Sequence, residues 1–480
     1  MIFPGFAGPT YALASLAADA QRAINIYPEI VESGTGKAKL YYRATPGLAA
    51  WGTLPTAPVR GLWAGSGILY AVGGSKLYSV SSGGTPTLRG DVTDDATHSP
   101  VQFFPNSAGT ELFIVSAGQA FVDTGTGPVS APVPADDRVD AAFPAGQVGT
   151  ASTAAQLDGF FIAAKFDSNR FFLSALNDAT SWDALDFAQK EGYPDNIARV
   201  IADHEELWLM GDETLEAWRN EGAADFPFRR DPGAFIHQGC IARFSAVNLI
   251  DGPAWLAGDT RGRAVAVRAQ GFQPVRCSTH AIEQAWATYS TVADAIGYTY
   301  TDGGHHFWVL TFPTANATWV FDLSTGMWHE RAYGPSLDRH RGRCHAFCYE
   351  KHLVGDHTTG VIYRMEPGLY SDAGTDIRRV RTAPHLAEEN VLIVHHRLQI
   401  EIDDMPGNHT AVTVDWSNNG GSTWSSAHTA STSSALPNKL RRLIWRRLGV
   451  ARDRVYRVTF TQQYPLSVIN AYLELSPGNA

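Results

Sequence analysis

Apolar residues fall in short runs along this chain, each bounded by Gly, Asp, Asn or Pro. That pattern predicts brief β-strands joined by tight turns rather than long helices. Only two stretches carry helical spacing. In His280–Tyr289 the residues Ile282, Ala285, Trp286 and Tyr289 share one helical face, and residues 13–23 form a second candidate. The strand pattern also repeats. An apolar strand is followed across a turn by a second strand in ILYAVGGSKLYSV, ELFIVSAGQAFVD, GFFIAAKFDSNRFFLSAL, ELWLMGDETLEAW, AWLAGDTRGRAVAV, FWVLTFPTANATWVFDL and HLVGDHTTGVIYRM. Anchored on Tyr70, Phe113, Phe161, Trp208, Trp255, Trp308 and Leu353, the copies are spaced 43, 48, 47, 47, 53 and 45 residues apart. A period in the forties with several strands per unit is that of a β-propeller blade, a small sheet that buries its faces only by stacking on its neighbours. The expected architecture is therefore all-β, with a propeller of about seven blades, six or eight being compatible with soft boundaries.

The repeat stops near Asp372. Beyond it, Leu398, Ile400 and Ile402 alternate with Arg397, Gln399 and Glu401. Val412, Val414 and Trp416 share a face, as do Tyr456, Val458 and Phe460. Long amphipathic strands with one apolar face predict a β-sandwich-like domain. The Ser/Thr-rich residues 427–438 read as an exposed loop. The first residues match neither pattern, and their Pro and Gly content suggests an extended arm on the body or on a neighbouring subunit. The expected division is an N-terminal arm over 1–58, a propeller over 59–375 and a sandwich-like domain over 376–480.

Composition narrows the function. Of 480 residues, 44% are hydrophobic and 18% charged, which excludes a disordered chain. No apolar run reaches the ~18 residues of a membrane span. The N-terminus lacks the basic start of a secretory leader, and four cysteines make no disulfide framework, so synthesis in a reducing cytoplasm is expected. A net charge of −10 weighs against a tight nucleic-acid binder, which needs a basic face to displace counterions.

Motifs of chemistry are mostly incomplete. Cys344 and Cys348, with His340, His352 and His357 nearby, invite a zinc site. On one strand, however, the two thiols would lie ~13 Å apart, so packed thiols in a blade are expected. Glu32–Lys37 resembles a phosphate loop but has Val31 and Ala38 at two obligatory positions. The histidine pairs His305/His306 and His395/His396 alternate across strands and cannot each converge on one ion. Glu401, Asp403 and Asp404 lack the spacing of a calcium loop. Residues 417–424, Ser-Asn-Asn-Gly-Gly-Ser-Thr-Trp, resemble the Asp-box of sialidases, with Asn419 at the Asp position. That box braces a hairpin and is not catalytic. No catalytic residue, cofactor or metal ligand is therefore assigned. Residues 439–457 hold eight basic residues against Asp453 alone. Arg441, Arg442, Arg446 and Arg447 are candidate subunit-contact residues toward an acidic neighbour. DNA, a glycan, or a solvated edge strand whose charges deter pairing are the alternatives.

A family resemblance spans most of the chain. Residues 21–29 (Gln-Arg-Ala-Ile-Asn-Ile-Tyr-Pro-Glu), 32–37 and 45–48 (Thr-Pro-Gly-Leu) resemble the N-terminus of the phage stabilisation family, the packaged-DNA-stabilising tail hub or nozzle proteins of short-tailed phages. Residues 166–172, 181–183, 208–212, 216–218, 278–283, 354–356 and 360–363 resemble it in the same order. The resemblance implies a non-enzymatic virion component made in the bacterial host cytoplasm. Six copies would form a ring that extends the portal–adaptor channel, helps retain packaged DNA and conducts it at ejection. A head-to-tail adaptor would lie above, with tail fibres, tailspikes or a needle at the distal end. Genomic DNA would pass without sequence-specific binding, and the net charge of −10 predicts a lumen lined by acidic and neutral side chains. The rival readings are a glycan-binding or glycan-cleaving (sialidase-like) propeller, which predicts clustered acids and aromatics in a pocket, and a monomeric host-interaction hub.

Overall fold

All seven anchor residues lie in the second strand of a four-stranded antiparallel unit. The computed structural model describes residues 1–478 except 34, 132, 134–149, 260, 404–411, 431, 436–439, 462 and 464. Among the described residues the strands form seven blades: 59–91, 102–130, 153–189, 197–236, 247–276, 296–333, and 342–366 completed by Gly47–Thr53. The first strand of each blade packs on the first strand of the next, from blade 1 round to blade 7 and back to blade 1. The propeller is closed, and its count is seven.

Turn chemistry explains the hairpins. Five blades join their first two strands through two residues with φ > 0: Ser66-Gly67, Asp158-Gly159, His204-Glu205, Gly303-Gly304 and Tyr349-Glu350. Both positions of a type I′ turn need that conformation, and its twist matches the strands. Tyr349 adopts it without glycine's freedom, and its hydroxyl donates to the Val80 carbonyl (2.8 Å), tying blade 7 to blade 1. Apolar clusters then fill each gap between blades. Leu69, Val80, Leu353 and Ile362 lie between blades 7 and 1, and Ala155, Leu173, Leu209 and Trp218 between blades 3 and 4. Trp255 and Trp308 are fully buried in such gaps. Burying side chains of this size is worth roughly 2–3 kcal/mol each, which is why isolated blades do not persist.

Residues 1–58 thread through both bodies. Ala20–Ile24 lies between the outer strand of blade 6, Met327–Tyr333, and the sandwich strand Arg379–Thr382. One continuous sheet therefore runs from blade 6 into the sandwich. Ile26–Ile30 and Leu40–Ala44 extend the other sandwich sheet beside Ser467–Pro477. Gly47–Thr53 then pairs with Val361–Glu366 as the outer strand of blade 7, so the N-terminal segment closes the ring.

The sandwich has one sheet built on Arg379–Thr382, Asp453–Phe460 and Val412–Ser417, and a second on Ile393–Asp403, Leu440–Arg446 and Ser467–Pro477. Leu398, Ile400, Ile402, Val412, Val414, Tyr456, Val458 and Phe460 meet in its core, as their alternation predicts.

Two local expectations are corrected. Residues 13–23 are not helical; they are turns followed by Ala20–Ile24, because that strand has ladder partners on both edges and tertiary pairing overrides alanine's propensity. The Ser/Thr-rich stretch contains His428–Thr429 and Thr432–Ala435, which pair with Val412–Ser417 and Leu440–Arg446; residues 431 and 436–438 lie outside the described residues. The helix over His280–Trp286 forms as expected, capped by the Thr279 hydroxyl and buried through Ile282 and Trp286.

Candidate assembly site

A cavity of about 600 Å³ is lined from the inner strands of blades 2 to 7. Arg199, Gln156, Asn248, Tyr298, His345 and Phe347 reach it, and its lining includes no Asp or Glu among the described residues. Burial holds the Arg199 guanidinium down to about 10, and burial likewise lowers His345 to about 3. His345 Nε2 lies 3.0 Å from His352 Nδ1, and its ring stacks on Tyr298. The cavity wall is thus built of aromatic, aliphatic and polar side chains.

Cys344 and Cys348 sit in the first strand of blade 7, Gly342–Cys348, as free thiols. Cys348 is buried, and burial pushes Cys344 up to about 12. Among the described residues no group of three His, Cys, Asp or Glu side chains could hold a metal ion. The histidine pairs diverge as their strand positions require. His305 lies between Asp322 Oδ2 (2.7 Å) and Glu29 Oε2 (3.0 Å), while His306 meets the Thr301 hydroxyl (2.7 Å). His395 contacts the Tyr456 hydroxyl (3.0 Å) and His396 the Ser476 hydroxyl (2.7 Å). Glu401 accepts from Lys37 and Arg442, so the acidic run and the phosphate-loop-like segment are joined by an ion pair. Asp404 lies outside the described residues.

The box-like turn is a brace. Asn419 Oδ1 accepts from the Thr423 N–H (2.9 Å), its Nδ2 donates to the Thr423 hydroxyl (2.9 Å), and Ser417 Oγ accepts from the Gly421 N–H (2.8 Å). Trp424 lies beneath the Arg457 guanidinium, 4.0 Å from its ring centre, and Arg457 Nε donates to Asp415 (3.0 Å).

The four candidate arginines occupy different positions. Arg442 donates to the buried Glu401 (3.1 Å). Arg441 stands on the alternate face of the strand Leu440–Arg446, with Leu443 and Trp445 buried between the pairs. Arg446 and Arg447 are exposed at the turn that ends the strand, and neither makes an ion pair among the described residues. Arg397 faces Arg446 across the ladder and is paired with Glu474 (3.2 Å).

Charge divides by domain. Residues 1–375 carry 26 basic and 39 acidic residues, and residues 376–480 carry 12 and 9. The acidic excess is conspicuous on blade 3, whose outer strand, Asp178–Gln189, holds Asp178, Asp183 and Asp186 and no basic residue. The seam between domains rests on groups that sequence reading passed over. Arg381 is fully buried and donates to the carbonyls of Phe6 (2.7 Å), Gly5 (3.0 Å) and Pro9 (3.2 Å) and to Gln21 Oε1 (2.6 Å). Arg22 forms a two-pronged pair with Glu330 at 3.0 and 2.5 Å. The run Arg378-Arg379-Val380-Arg381 was a visible signal, but a basic run ordinarily reads as solvated surface.

This is a seven-bladed β-propeller joined through its own N-terminal strands to a β-sandwich. The family model for the bacteriophage P22 Gp10 β-propeller matches residues 19–369, and that for the bacteriophage P22 Gp10 β-sandwich matches residues 378–476. The chain belongs to this phage family, and is thereby a tail-related structural protein of a virion. No curated protein matches it. Among solved structures it resembles the extracellular domain of the two-component system BT4673 from B. thetaiotaomicron (TM-score 0.42, 10% identity, 66% of this chain and 39% of that one). It also resembles PorZ, a surface component of the type-IX secretion system of Porphyromonas gingivalis (TM-score 0.38, 14% identity, 72% and 44%). The chain spans less than two thirds of the length of these structures, and the likeness carries no functional argument.

Proposed function

We propose that this chain is the tail hub or nozzle subunit of a short-tailed phage. Six copies form a ring that extends the portal–adaptor channel, helps retain packaged DNA and conducts it at ejection. The observation that carries the reading is the pair of tandem family matches over 19–369 and 378–476. Size supports it. A duplex whose major groove alone is about 12 Å wide has no room to pass through a propeller cavity of about 600 Å³. A DNA route therefore requires a lumen enclosed by several copies. Charge supports it too, because a conduit that gripped phosphates would have to break each contact as the genome moved, and the propeller is net acidic. The ring lumen is acidic and neutral, an adaptor binds above, and fibre, spike or needle proteins bind distally. The protein performs no catalysis; its surfaces position other proteins.

The test is particle assembly without this chain. Particles lacking it are expected to package DNA and then lose it, with retention restored by adding the protein back. Particles that keep a full genome without it would contradict the retention role.

A further inference from the structure

The outer strand of blade 3, Asp178–Gln189, is 12 residues long, the longest outer strand of any blade. Its inner edge pairs with Arg170–Ala175 at both ends, with residues 183–186 bulging out of the ladder opposite Leu173, and its other edge has no ladder partner among the described residues. Leu185 is 82% exposed and Leu176, in the turn before the strand, 60%. The bulge carries Leu185, Asp183 and Asp186 out of the ladder, and so offers a protruding docking surface rather than a flat edge for strand pairing. The strand's three aspartates, without a basic residue, define what would dock: a basic surface with an apolar centre.

The same chain carries such a surface elsewhere. Arg446 and Arg447 stand exposed at the turn before Val450, which is 50% exposed. The topology fixes where the two surfaces lie. The sandwich continues the sheet of blade 6 outward through Ala20–Ile24, and Gly47–Thr53 joins it to the rim of blade 7. It therefore projects from the rim at the boundary of blades 6 and 7. In a closed seven-membered ring, the blade opposite that boundary is blade 3. A ring of copies needs two different, complementary patches on opposing flanks of each subunit, and these patches meet that requirement in position and charge.

We propose that the open edge of blade 3 in one copy docks on the Arg446–Arg447 turn of the next, forming the head-to-tail contact that builds the ring. Leu185 packs toward Val450, and Asp183 and Asp186 face the two arginines. The inference rests on the ring reading above and adds which surfaces close it.

The test is charge exchange in the full chain, with oligomer mass read by mass photometry on the protein alone and on isolated portal–adaptor assemblies. Asp183→Lys with Asp186→Lys, and separately Arg446→Glu with Arg447→Glu, are each expected to reduce the oligomer at least tenfold. Mixing the two variants makes both junctions between unlike copies complementary, one reversed and one native, and is expected to restore the ring with alternating copies. A second pair, Asp183→Cys and Arg446→Cys on differently tagged copies, is expected to give a mixed-tag disulfide dimer while leaving the surface charges nearly intact. A wild-type ring that survives both reversals and gives no mixed-tag dimer overturns the assignment of surfaces and leaves the ring reading standing. A wild-type chain that is monomeric in both settings removes the ring reading, and this contact with it.

Discussion

Asn25 and Ala332 exchange two hydrogen bonds across the seam between sandwich and propeller. The Ala332 N–H donates to Asn25 Oδ1 (2.9 Å), and Asn25 Nδ2 donates to the Ala332 carbonyl (2.9 Å). The same amide donates to the Arg378 carbonyl at 2.9 Å, so one buried side chain holds blade 6 and the sandwich together. Asn25 has φ +56°, a left-handed conformation that asparagine tolerates better than most residues. Asn25→Ala removes three bonds, strands buried backbone groups and retains the unfavourable φ. A loss of about 3 kcal/mol in urea unfolding is expected. Asn25→Gly relieves the φ but not the bonds, and should recover less than half of that.

Arg381 makes the N-terminus part of the fold. Its guanidinium satisfies carbonyls of Gly5, Phe6 and Pro9. Arg381→Met keeps the volume and removes the donors. Amide hydrogen exchange should then rise by at least tenfold over residues 1–12, while the blade 2–5 strands stay protected.

Ring closure depends on close backbone approach at Gly47. A Cβ there would lie 2.6 Å from the carbonyl oxygens of both Leu369 and Ser371. Gly47→Val should therefore loosen the strand that completes blade 7, with a loss of about 3 kcal/mol and new protease cleavage in residues 47–53. An unchanged urea midpoint would show that closure does not depend on this strand.

Acid should weaken the protein through His329. Its ring is fully buried against Tyr27 and Phe307, and burial lowers it to about 3 despite nearby Asp322. The unfolded chain binds a proton below about pH 6.5, and the folded chain does not until about pH 3. Stability contributed by the neutral ring is thus lost as pH falls through that window, by about 1.4 kcal/mol per pH unit. His329→Phe keeps the aromatic packing and removes the proton. Between pH 7 and pH 5 the variant should lose about 2 kcal/mol less than wild type, read from paired urea titrations. His305 shifts the other way, raised first by its bond to Asp322, and is common to both proteins.

The propeller was legible because its signal is repeated. Tyr70 through Leu353 mark the same strand in each blade, and alternation at Leu398–Ile402 marks the sandwich. What escaped was set by contacts far apart in sequence. Residues 13–23 look helical alone, but the chain becomes the strand Ala20–Ile24 because Met327–Tyr333 and Arg379–Thr382 lie on either side. The arginines illustrate the same limit. Spacing grouped Arg441, Arg442, Arg446 and Arg447, whereas the fold commits Arg442 to Glu401 and leaves Arg446 and Arg447 exposed. Arg381 is invisible as a core residue because burial of a guanidinium depends on carbonyls delivered by residues 5–9.

The most direct test of the central claim is electron microscopy of the tagged protein recovered from infected cells with its bound partners. A six-fold ring with an open central lumen, seated on a tail and with blade 3 of each copy against the sandwich of the next, is the predicted result. A free monomeric propeller, with no ring on any tail assembly, would contradict it.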